Sequence, residues 1–196
     1  MTRRPLLLLA PAILSLALAG CISFGAKPPP FLFTLTPSAA PAAGPVSGEG
    51  RPVVIAIPTV PEKLATLRVP VQATDVTLAY LKDAQWVESP PGLFRRLLAE
   101  TMAARTGRFV LPAGDFAAAP ADSVSGTLSD FGLDARTMEV VVTFEALDQR
   151  SGSATPIGRR FTARVPVVSA DPNLVAVSLN QAANQVAAEV ADWVGR

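Results

Sequence analysis

Between Tyr80 and Phe94 the sequence reads YLKDAQWVESPPGLF. This stretch gathers the only tyrosine, one of two tryptophans, Lys82, Asp83 and Glu88. A lysine among carboxylates suits proton transfer, and aromatics beside prolines suit docking of another chain. Catalysis needs partners, and the composition removes most of them. The chain has no histidine. That excludes Ser-His-Asp and Cys-His relays and the commonest ligand for zinc and copper. One cysteine leaves no CxxC pair. No Gly-rich phosphate loop is present, and Ser123-Val124-Ser125-Gly126 lacks the GxSxG nucleophile pattern.

The carboxylates Asp130, Asp134, Glu139, Glu145 and Asp148 are spread along one segment. A glycosidase needs two carboxyls facing each other across a cleft, and no spacing here selects such a pair. They read as structural charge. No catalytic residue, metal ligand or cofactor is expected, and the chain reads as a non-enzyme.

The elements around the opening stretch follow from periodicity. Ser89-Pro90-Pro91 marks a helix start, with an N-cap candidate ahead of proline. Leu93, Phe94, Leu97, Leu98 and Met102 recur at helical spacing, Arg95, Arg96 and Glu100 take the other side, and Gly107 suits a C-cap. A helix from about Pro91 to Thr106 is predicted. Asp171-Pro172 opens a second helix to about Val194, with Val175, Leu179, Ala182, Val186, Val190 and Trp193 as one stripe. Asn180, Gln181, Asn184 and Glu189 fall largely off that stripe.

Strands fill the rest. FLFTLTP places Phe31, Phe33 and Leu35 on one face, and VVIAI (Val53–Ile57) suits a strand buried on both faces. ATLRVPVQA and VTLAYL read as two short strands or a hairpin about Thr74-Asp75, although Pro70 sits poorly in a central strand. Arg108–Pro112 reads as a short strand. SVSGTLSDFGLD is a strand weakened by Gly126. Met138, Val140, Val142 and Phe144 alternate with Glu139, Val141, Thr143 and Glu145, and Phe161, Ala163 and Val165 answer them in an antiparallel hairpin. Glu139 and Glu145 then oppose Arg160 and Arg164, each pair contributing up to about 1 kcal/mol. The order strands, helix, strands, helix predicts a single α+β domain. Its sheet is mixed or mostly antiparallel, with two amphipathic helices packed on one face.

The N-terminus addresses the chain. Arg3 and Arg4 precede PLLLLAPAILSLALAGC, a positive region, an apolar region and a small-residue exit. The apolar run is short for a membrane span, which needs about 20 residues. Leu18-Ala19-Gly20-Cys21 resembles the bacterial lipobox. In that resemblance residues 1–20 are removed and Cys21 carries the lipid; an ordinary signal peptide or an uncleaved anchor is the alternative. A lipidated Cys21 also accounts for an odd cysteine in an exported chain. Several acyl chains on one residue anchor stably where a single chain does not. Ile22 after the cysteine favours the outer membrane by resemblance to enterobacterial sorting. Residues 22–30, ISFGAKPPP, read as a Pro-stiffened tether that reaches at most about 30 Å. Residues 37–52 read as a flexible low-complexity loop within the domain at 31–196. Of the 17 Lys and Arg side chains, Arg3 and Arg4 leave with the signal peptide and no acid does, so 15 face 16 acids. That balance gives no case for nucleic-acid binding.

Taken in order, several segments resemble the ABC-type transport auxiliary lipoprotein family, the PqiC-like outer-membrane lipoproteins that accompany MCE-domain lipid transporters. They are the lipobox, FLFTLTP, PVVIAIPTVPEKL, YLKDAQWVESPPGLFRRLLAETMAARTGRFV, and SGTLSDF with its following hairpin and helix. The resemblance covers nearly all of the mature chain. It implies a lipoprotein held in the outer membrane by Cys21 and facing the periplasm. There it tethers or caps the lipid conduit of an MCE-domain substrate-binding protein of an ABC transporter and supports membrane integrity. A ring of copies, a homo-oligomer, would suit a tubular partner by symmetry. A second reading is a lipid- or glycolipid-binding assembly lipoprotein that carries cargo itself. Tyr80, Trp86, Glu88, Pro90 and Pro91 are the candidate partner contacts. For Tyr80 and Trp86 the alternative is packing between sheet and first helix.

Overall fold

The computed structural model describes residues 29–39, 50–112 and 120–196. The expected signal peptide, Cys21, most of the expected tether and most of the 37–52 loop lie outside the described residues. Eight strands form one mixed, open sheet: β1 (Phe31–Phe33), β2 (Val53–Ile55), β3 (Arg68–Gln72), β4 (Leu78–Trp86), β5 (Val110–Leu111), β6 (Asp122–Asp134), β7 (Glu139–Gln149) and β8 (Ile157–Pro166). Helices α1 (Pro90–Thr106) and α2 (Pro172–Val194) pack against each other and against one face of it. The expected single α+β domain is the observed one.

The long strand β6 organises the sheet. Along one edge β7 runs antiparallel to it for its whole length, and β8 follows β7. The other edge is shared. β2 pairs parallel with Asp122–Val124, Thr59 bridges to Thr127, and β3 pairs parallel with Leu133 and Asp134. β4 and then β1 continue outward from β3, and β5 continues from β2.

The alternation in β6 changes phase. Val124 and Leu128 are buried, as expected from an even spacing, but so are Phe131 and Leu133. A bulge between Leu128 and Asp130 inserts one residue and moves the inward face from even to odd positions. Two glycines in this strand sit where a side chain has no room. A Cβ on Gly126 would overlap the Glu145 carbonyl, and one on Gly132 would overlap the Pro70 carbonyl.

That second contact corrects the expectation for Pro70. It lies within β3, an interior strand flanked by β4 and β6. Proline is tolerated there because the β3–β4 register shifts between Arg68 and Pro70, so no regular ladder needs its missing N–H. β2 is also shorter than expected, since Ala56 and Ile57 leave the strand and Ile57 is exposed.

Helix α1 begins after Ser89, whose extended backbone fits a residue ahead of proline. Its side chain makes no cap; instead its carbonyl accepts from the Gly92 and Leu93 N–H groups at 3.0 and 3.1 Å. Gly107 ends the helix in the left-handed conformation, φ 64°. Asp171 does cap α2 through its side chain, accepting from Asn173 N–H at 2.9 Å. The apolar faces of both helices are buried with the sheet residues they cover, around Trp86, Phe94, Phe131 and Phe144.

One polar feature of α2 departs from its sequence pattern. Asn184 is buried although it lies off the apolar stripe. It accepts from Ser38 N–H at 2.7 Å and donates to the Thr36 carbonyl at 2.9 Å, while Asn180 accepts from Thr36 N–H at 2.8 Å. Two amides one helical turn apart thus satisfy the backbone that leaves β1.

Candidate functional site

The junction that opened the sequence reading is built by β4 and the start of α1. Between Tyr80, paired with Pro70, and Gln85, paired with Arg68, β4 holds more residues than β3 opposite. The surplus is absorbed at Asp83, which has φ 58°, and Lys82 and Asp83 stand out exposed. Such a conformation is uncommon outside glycine, asparagine and aspartate. Tyr80 is half-buried beneath the Arg68 guanidinium, whose carbon lies 4.0 Å from the ring centroid.

Trp86 points inward and is 1% exposed. Its indole stacks on Phe131, centroids 4.8 Å apart, and meets Phe33 edge-on at 5.7 Å. Its backbone N–H donates to the Leu67 carbonyl at 2.7 Å, while the indole N–H has no partner among the described residues. Pro90, four residues on, is buried, and Pro91 is half-buried. Glu88 is exposed and pairs with Arg96 at 2.6 Å. The five candidate contacts therefore divide. Trp86 and Pro90 hold the junction from within, and Tyr80, Glu88 and Pro91 present its outer surface.

The five scattered carboxylates each meet a basic side chain. Lys63 reaches Asp130 at 2.7 Å, Arg136 reaches Asp134 at 2.6 Å, Arg164 reaches Glu139 at 3.2 Å, Arg150 reaches Asp148 at 2.8 Å, and Arg160 pairs with Glu145. The hydrogen bond from Arg136 holds the Asp134 carboxyl at about 2. Such pairs neutralise one another.

Sequence reasoning missed one buried ion pair. At the N-terminal end of β6, Arg108 donates to Asp122 at 2.6 Å and to the Arg51 carbonyl at 2.8 Å. Asp122 also accepts from Ser151 N–H at 2.8 Å. Burial pushes the Asp122 carboxyl up, but the Ser151 hydrogen bond and Arg108 hold it below its ordinary value. Asp148 nearby is pushed up by burial, against Arg150. The sequence signal was an arginine opening an otherwise apolar strand. Arg105 forks onto Asp192 with two contacts of 2.7 Å at the same end, joining α1 to α2. The open cleft there is lined by Arg51, Arg105, Arg108, Asp122, Arg150 and Asp192 among others. It is a charged surface, unsuited to an acyl chain. Among the described residues no group of His, Cys, Asp or Glu is placed to hold a metal ion, and no helix is long and apolar enough to cross a membrane.

A sequence profile described as "ABC-type transport auxiliary lipoprotein component" matches residues 33–191. No curated protein matches the chain. Among solved structures, a Xanthomonas campestris protein of the family model DUF330 aligns with TM-score 0.68 at 19% identity, covering 84% of this chain and 94% of that one. A crystal structure of an uncharacterized protein aligns with TM-score 0.64 at 22% identity, covering 74% of this chain and 92% of that one. At these identities the likeness concerns the fold.

Proposed function

The chain belongs to the ABC-type transport auxiliary lipoprotein family, and from that membership we propose an adaptor role. The protein is lipidated at Cys21, held in the outer membrane facing the periplasm, and docks an MCE-domain protein of an ABC lipid transporter. It tethers or caps the lipid conduit and performs no chemistry of its own. A hydrated gap is a poor medium for lipid, since each exposed methylene costs about 0.8 kcal/mol. A part that keeps the conduit seated on its membrane is therefore useful without being a carrier.

The observation that best supports adaptor over carrier is the filled interior. Trp86, Phe94, Phe131 and Phe144 occupy the space between sheet and helices in mutual contact, with centroid separations of 4.8 to 6.4 Å. A carrier of acyl chains needs that space as a cavity. The outer surface of the β4–α1 junction, Tyr80, Glu88 and Pro91, is the proposed contact for the transporter.

Crosslinking in the native membrane tests this reading. Photo-crosslinkers at Tyr80 and Pro91 are expected to capture an MCE-domain protein. A capture pattern holding only abundant outer-membrane proteins would remove the proposed partnership.

A further inference from the structure

We infer that one end of this domain rests directly on the lipid surface to which Cys21 is anchored. The inference deepens the lipid-anchor reading above and rests on it. Three connections meet at that end of the sheet. The β3–β4 hairpin turns at Ala73–Thr77, the β6–β7 turn lies beside it through Ala135 N–H on the Gln72 carbonyl at 2.9 Å, and the β8–α2 connection follows through Val167 N–H on the Met138 carbonyl at 2.8 Å.

Two of these connections and the start of α2 carry aliphatic side chains into solvent. Val76 and Val168 are each 91% exposed, Val177 is 69% exposed, and Leu78 and Leu174 are 41% exposed. Single exposed aliphatics need no explanation. Here two neighbouring connections, β3–β4 and β8–α2, and the first turns of α2 each contribute at the same end. Other exposed apolar residues sit elsewhere; Phe109 follows Arg108 and Ile157 leads into Arg159 and Arg160.

The charges at this end are few and mostly paired, with a small acidic excess. Asp75 and Asp134 both meet Arg136, and Asp171 is occupied as the α2 cap. Seating on lipid is therefore expected from aliphatic contact and not from attraction between charges. The described chain enters β1 from the side of this end, since β1 runs parallel to β4. Thr36 and Ser38 bond Asn180 and Asn184 in turn, so the chain leaving β1 runs toward the C-terminus of α2. Traced backward along β1, Phe31 lies on the side of Thr36 nearer the α2 N-terminus, where Leu174 and Val177 lie. Nine residues separate Cys21 from Phe31, a reach of at most about 30 Å. The lipid surface is the apolar partner that the tether brings within reach of this end.

The test uses the full lipidated chain in vesicles of phosphatidylethanolamine and phosphatidylglycerol. Cys21 is the only cysteine and is blocked by its lipid, so an environment-sensitive fluorophore can be placed uniquely at Val76→Cys, Val168→Cys or, as a control, Ala154→Cys in the β7–β8 turn at the opposite end. Emission at positions 76 and 168 is expected to shift to the blue and to be quenched by lipid-borne quenchers, with position 154 unchanged. If the protein floats with the vesicles but positions 76 and 168 stay water-exposed, the seating is overturned and the anchor stands. Failure of the chain to float overturns the anchor and the seating with it. Shielding at 76 and 168 in detergent, rising with protein concentration and absent on dilution in vesicles, assigns the end to a second copy and also overturns the proposal.

Discussion

The indole of Trp86 lies flat against the ring of Phe131, planes 7° apart, so strand β4 and strand β6 are joined through their side chains across β3. Trp86→Ala removes this stack and the edge contact with Phe33, and is expected to cost about 3–5 kcal/mol. Trp86→Phe keeps an aromatic in place and relieves the unpartnered indole N–H, so it costs less. Urea unfolding of the two variants checks the order. An alanine variant as stable as the parent would show that the residue serves a partner rather than the core.

Gly132 faces the carbonyl of Pro70, and the two strands approach as closely as they do because nothing projects between them. Gly132→Ala is expected to lower stability by about 1–3 kcal/mol through forced separation of β3 from β6. Gly152→Ala is the comparison, for there a Cβ meets nothing, although its positive φ carries a smaller cost of its own. Thermal midpoints that fall equally in the two variants would refute the close-approach argument.

Asp122 and Asp148 are buried neighbours with opposite tendencies. Asp122 is held ionised by Ser151 and Arg108, whereas Asp148 is pushed toward its neutral form and its Oδ1 has no hydrogen-bond partner among the described residues. Asp122→Asn leaves the Arg108 charge buried and poorly matched, an expected loss of about 3–5 kcal/mol. Asp148→Asn removes a charge that burial already disfavours and should cost clearly less. Denaturation midpoints in reverse order would contradict this assignment.

Asp134 sets part of the acid limb of stability. Its native value of about 2 lies below the unfolded value of about 4. The unfolded chain therefore takes up the proton first, and the contribution is full above about pH 4 and is lost as pH falls toward about 2. In Arg136→Gln the two values draw together. Thermal midpoints measured from pH 5 to pH 2 should then fall less steeply than in the parent, from a lower plateau. Parallel curves would show that Arg136 does not govern the titration.

The helices were legible because their apolar stripes, prolines and terminal glycine or aspartate agree with one another. The hairpin of β7 and β8 was legible because period-two alternation marks most of β7 and the second half of β8. What escaped reading has a physical reason in each case. The bulge at Leu128–Asp130 breaks alternation, and a phase change looks like noise in one sequence. Pro70 in an interior strand depends on the gap left at Gly132, some 60 residues later in the chain. Asn184 and the Arg108–Asp122 pair owe their burial to segments distant in sequence, and residue type alone points such groups outward. Trp86 was readable as a large aromatic beside a helix start, but whether it faced core or partner was fixed only by Phe131 arriving from another strand.

The pairing of β6 with β7, which continues on both sides of the Leu128–Asp130 bulge, has a mechanical meaning. Thirteen residues of β6 extend for about 40 Å and separate the aliphatic end from the arginine-lined end. With the aliphatic end seated on lipid, the ladder acts as a strut. Slack in the tether no longer sets how far the arginine-lined end stands from the membrane; the length of the strut does. Height above the bilayer then becomes a property of the fold, shared by every copy, which is what a partner needs if it is to meet several copies in one plane.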